Sequence, residues 1–159
     1  MLTEIQKKLI VSSWRLVVPI ADTAADLFYK RLFELKPQYQ SYFSSDLNRQ
    51  KQKLVTMLDF IVKSLDWAQD QWQTDVEPED DLFLVILALG RRHSALYQIP
   101  EESYNVVGEA LIWTLDYGLG EAFTEDVKGA WLEIYTLLAR MMLLGSKGQV
   151  NSDIVEFRK

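Results

Sequence analysis

Three side chains have the chemistry to meet a small polar ligand or a metal: His93, Tyr29 and Gln50. His93 is the only imidazole in the chain, and on a helix it shares a face with Leu89, Leu96 and Tyr97. A lone histidine among apolar neighbours is more often a satisfied core residue than a ligand, yet neutral imidazole is also a good iron donor. Zinc needs three or four ligands, and the carboxylates here add no convincing set around His93. Tyr29 lies beside Phe28 and Leu32, so its phenol can simply pack. Gln50 falls on an otherwise apolar face, although an exposed edge position would look the same. The chain has no cysteine, which excludes thiolate metal sites, a cysteine nucleophile, disulfides and thioether attachment of a cofactor.

The elements that carry these residues read as helices. Prolines occur only at 19, 37, 78 and 100, and strand patterns are nearly absent. Thr3 can cap a first helix on which Ile5, Leu9, Trp14 and Val17 recur at helical spacing, ended or bent by Pro19. A second helix starts at Asp22 and turns Phe28, Leu32 and Phe33 inward. Pro37 then opens a short turn before Tyr42 and Phe43. From Asp46 to Leu65, residues Leu47, Gln50, Leu54, Met57, Leu58, Ile61 and Leu65 share a face.

The stretch 66–81 holds seven acids without lysine or arginine and reads as a solvated loop. It lacks the glycine that a calcium loop requires. Residues 82–97 give a helix carrying His93. Residues 102–117 give another, with Tyr104, Val107, Leu111 and Leu115 inward. Thr124 caps a last helix with Val127, Trp131, Ile134, Leu138, Met141 and Met142 on one side, and the tail after Gly145 is polar and frayed.

At 159 residues, with 48% hydrophobic and 25% charged, the chain has the proportions of one globular domain. We expect a single domain over 1–159, with a core at about 3–145 and a polar tail at 146–159. Its formal charge of −6, from 17 basic and 23 acidic residues, argues against nucleic acid as a partner. The longest purely apolar run, 82–89, falls far short of the ~20 residues a membrane span needs. The expectation is a soluble, cytoplasmic protein.

A single axial histidine in an apolar wall is what a noncovalently held haem requires, together with a facing wall that offers one or two hydrogen-bond donors. Tyr29 and the Gln50 to Leu54 face have that pattern. The ordered segments LIVSSW, LFYKRLFELKP, LGRRHSALY, YNVVGEAL and AWLEIY together resemble the globin family over about residues 3–145, most closely single-domain bacterial globins and neuroglobin-like chains. That resemblance implies an all-α globin fold around haem b, with His93 as the proximal iron ligand and Phe43 wedging the haem.

It further implies Tyr29 and Gln50 as distal donors beside Leu54, with Leu89 and Tyr104 lining the pocket and Arg91 or Arg92 pairing with propionates. Glutamine stands where vertebrate globins usually carry histidine, so the ferrous iron is expected to be five-coordinate. The function implied is reversible binding of oxygen and other diatomic gases, in transport or storage, with no catalytic residue assigned.

The alternatives are nitric oxide dioxygenation or nitrite reduction with a separate reductase, a gas-sensing module, and a haem-free globin-like protein. Flavohaemoglobins append a reductase domain and carry a glutamate late in the last helix. This sequence shows no such domain and has Ser146 at the glutamate's place. Only Tyr104 then supports the proximal histidine.

Overall fold

The computed structural model describes residues 2–43, 47–70 and 103–146. Five α-helices run through them: α1 (Glu4–Val17), α2 (Ala21–Leu35), α3 (Leu47–Asp70), α4 (Ser103–Leu119) and α5 (Glu125–Ser146). Short 3-10 turns at Val18–Ile20, Pro37–Phe43 and Gly120–Ala122 join or follow them, and the described residues contain no strand. The expected all-α class therefore holds. The helix expected at 82–97, and with it Leu89, Arg91, Arg92 and His93, lies outside the described residues, as does the tail from 147.

Local chemistry sets the helix ends. The Thr3 hydroxyl accepts from the Gln6 backbone N–H while the Gln6 side chain accepts from the Thr3 N–H, a reciprocal cap. Pro19 sits inside the first 3-10 turn and separates α1 from α2. At α5 the Thr124 hydroxyl accepts from the Val127 N–H, and Glu125 and Asp126 occupy the positively polarised first turn. Gly120 has φ +56°, a left-handed conformation that ends α4 without a side-chain clash.

Two expectations need correction. Ile5 is 72% exposed, because the buried face of α1 runs through Lys7, Ile10, Val11, Trp14 and Val17 and Ile5 lies well around the helix from it. The third helix does not stop at Leu65 but continues to Asp70. Residues 66–70 contain no glycine or proline, so nothing in the backbone stops propagation there, and their acidity alone does not make them a loop.

The core sits where α1, α3 and α5 meet and where α2 lies on α4. The rings of Trp14 and Trp131 approach at 6.2 Å with a 53° tilt. Each indole N–H is used: Trp14 donates to Asp59 of α3 at 3.0 Å, and Trp131 donates to the Ser13 hydroxyl at 2.9 Å. The Ser13 hydroxyl in turn donates a hydrogen bond to the Leu9 carbonyl at 2.6 Å. Two large aromatic side chains thus enter the core without leaving a buried donor unpaired. Among the described residues no helix is long and apolar enough to cross a membrane.

Candidate functional site

The α2–α3 crossing builds one wall from the sequence positions that looked chemical. Tyr29, on α2, is 6% exposed and is packed edge-on against Phe28, with ring centroids 5.0 Å apart at 85°. Phe33, one turn further on, tilts against the same phenol ring at 6.0 Å. Leu32 is fully buried between these positions. The expected inward face of α2 is therefore real, and Tyr29 belongs to it together with Phe28 and Leu32.

The Tyr29 hydroxyl donates to the main-chain carbonyl of Gln50 at 3.4 Å. The structure thus brings Tyr29 and Gln50 together, with the Gln50 backbone carbonyl as the acceptor. Gln50 is half-buried, as is Leu54 one turn later, and Leu54 packs against the core cluster. Beside this contact Lys51 Nζ lies 2.8 Å from Asp26 Oδ1, an ion pair that again joins α3 to α2.

Tyr104, in the first turn described for α4, is half-buried, and burial pushes its phenol above the ordinary tyrosine range. Its carbonyl accepts a short hydrogen bond from the Tyr135 hydroxyl of α5. A Cβ on Gly108 would stand 2.6 Å from Tyr135 Cε1, so the absence of a side chain at 108 lets the ring lie directly on α4. Burial, and secondarily the nearby Tyr104 phenol, drives the Tyr135 phenol far upward, while the Gly108 backbone N–H opposes the shift. Next to Tyr104, the Ser103 hydroxyl is buried and has no hydrogen-bond partner among the described residues.

Of the residues singled out from sequence, Tyr29, Gln50, Leu54 and Tyr104 are described. Phe43 ends the 3-10 turn Pro37–Phe43, its side chain outside the description, while Leu89, Arg92 and His93 lie wholly outside it. Sequence reasoning missed Gly108, Tyr135, Asp26 and Lys51. Tyr135 could have been suspected, since it follows Trp131 by four residues and so shares its side of α5. The Asp26–Lys51 pair left no signal, because opposite charges 25 positions apart on different helices carry no periodicity.

Comparison with known proteins follows the same path through the chain. A family model described as Globin matches residues 26–142. The chain is 29% identical to neuroglobin-1 of Oncorhynchus mykiss over 148 residues, covering 91% of this chain and 92% of that protein. It is 28% identical to the neuroglobins of Danio rerio and Chaenocephalus aceratus over 158 residues, with the same coverage of both chains.

Proposed function

The chain belongs to the globin family, and from that premise we propose that it holds one noncovalent haem b and binds oxygen and other diatomic gases reversibly. We read it as a single-domain globin of the bacterial, neuroglobin-like kind, cytoplasmic, with one domain spanning 1–159. The observation that carries this reading is the Tyr29 phenol, buried in an aromatic wall and turned toward α3 at Gln50.

The residues fit such a group. The wall of Phe28, Tyr29, Leu32, Phe33 and Leu54 is apolar apart from one phenol, as a flat hydrophobic macrocycle requires. His93, the one imidazole in the chain, would serve as axial ligand, with Phe43, Leu89, Arg92 and Tyr104 as further haem contacts. When bound, haem b supplies a ferrous iron that takes up a diatomic gas reversibly.

This chain's own residues then decide which gas stays. Tyr29 and Gln50 are the neutral donors of the facing wall, and they favour a ligand with charge on its outer atom over a less polar one. Gln50, an amide, is a poor iron ligand compared with imidazole and leaves the sixth position open. Absorption spectra of the purified protein in ferric, ferrous and carbon monoxide forms test the reading. A five-coordinate ferrous spectrum that converts on adding carbon monoxide supports it, and the absence of any haem band would sink it.

Nitric oxide dioxygenation with a separate reductase is the second reading. It rests on the resemblance of Tyr104 to the tyrosine beside the proximal ligand, a support that is only partial with Ser146 in place of glutamate; the Tyr104 carbonyl accepts from the Tyr135 hydroxyl.

A further inference from the structure

Two bonds tie α3 to α2 at consecutive α3 residues, and they are unequal. The Tyr29 to Gln50 carbonyl bond, at 3.4 Å, is at the long end of what a hydroxyl donor can hold. The Lys51–Asp26 pair is short, 2.8 Å. Asp26 and Tyr29 are three residues apart on α2 and so stand on one face of it, opposite the same turn of α3. The ion pairs Lys7–Glu4, Arg31–Glu34 and Lys63–Asp59 each lie within one helix, whereas Lys51–Asp26 crosses between two.

Separating the Gln50 turn from Tyr29 also separates these charges. The lysine side chain is 23% exposed and the aspartate 65%, so solvent screens the pair only in part. Helix end turns open at lower free energy than helix middles, and here a charged contact opposes that opening.

Resting on the proposed distal role of Tyr29 and Gln50, we propose that Asp26 and Lys51 are positioning residues: they hold the first turn of α3 against α2 and so limit how readily a gas passes the Tyr29–Gln50 wall. Neither residue touches the ligand. Their effect falls on the rate of passage and on the mobility of α3's first turns, and it belongs to the pair rather than to either charge.

The test is a double-mutant cycle of Asp26→Asn, Lys51→Met and the double variant in the haem-loaded protein. Carbon monoxide association is followed after flash photolysis, and amide exchange is followed in residues 47–54. Each single variant is expected to raise both rates about two- to fivefold, the range of a partly exposed pair. The double is expected to do no more than the larger single. Unchanged rates and exchange, or single effects that multiply in the double, would overturn the proposal. Wild-type protein lacking haem bands defeats the proposed function and, with it, the gas-passage half of this inference. The exchange measurements then still decide whether the pair holds the turn.

Discussion

Tyr29 already has an acceptor, so it can serve a ligand only by trading one hydrogen bond for another. The bond it gives up, 3.4 Å to the Gln50 carbonyl, is long, and a ligand whose outer atom carries partial charge is the better acceptor. A donor to a charged partner contributes about 1.5–3 kcal/mol, roughly 10- to 150-fold in affinity. Tyr29→Phe should therefore speed oxygen release by up to about that factor, less what the Gln50 bond is worth, and carbon monoxide release far less. Stopped-flow displacement of each gas measures it, and equal effects would mean the phenol only fills space.

Gly108 is the opposite kind of residue, one whose contribution is the absence of atoms. Gly108→Ala sets a methyl 2.6 Å from the rigid Tyr135 ring and should destabilise by about 1–3 kcal/mol. Tyr135→Phe, which keeps the ring and loses the bond to Tyr104, should cost about 1 kcal/mol. Urea midpoints compare the two, and a Gly108→Ala protein as stable as wild type would contradict the close approach. Tyr29 and Gln50 were legible in sequence because a polar atom on an apolar helical face stands out. The Tyr135 contact was not, because it joins positions 31 residues apart and depends on which helices meet.

At the scale of elements, one carboxylate on α3 accepts a hydrogen bond from α1 beside the apolar core the two helices share. Asp59 accepts from Lys63 at 2.7 Å and from the Trp14 indole at 3.0 Å. Those two bonds hold its carboxyl below the usual range, the lysine's being the larger influence, against a smaller opposing effect of burial. A carboxylate depressed in the fold adds stability above its unfolded pKa, and that stability disappears as pH falls through the folded value.

Wild type should accordingly exceed Asp59→Asn by about 1 kcal/mol near neutrality, given the partial exposure of the pair, and the gap should close only below the ordinary carboxylate range. Thermal or urea unfolding of both proteins across pH checks this. A gap that persists at low pH, or one already lost near neutrality, would contradict the assignment. Periodicity found the helix faces, and Thr3 and Thr124 marked two helix starts by their capping chemistry. Ile5 misled because apolar type and spacing count alike on either side of a helix until a neighbour is known. The extension of α3 to Asp70 was missed because acids suggest solvent, not the end of a helix.

For the whole molecule, the order of the helices among the described residues followed from sequence, whereas the pairing of Trp14 with Trp131 is tertiary and had no local sign. The combination of no cysteine and one histidine applies to the entire chain, and it makes the proposed mode of cofactor attachment testable at one stroke. With no thiol to form a thioether and one imidazole in the chain, the proposed haem would be retained by the His93 bond and the apolar wall together. Acidified organic solvent protonates imidazole and unfolds the wall, so it should carry the haem wholly into the organic phase. His93→Ala removes only the bond. Burial of the macrocycle remains, and the variant should bind haem weakly or lose it during purification while keeping its helical circular dichroism. Haem retained in the protein phase would demand a covalent link the sequence does not offer. Full, tight haem binding by His93→Ala would move the axial ligand elsewhere in the chain.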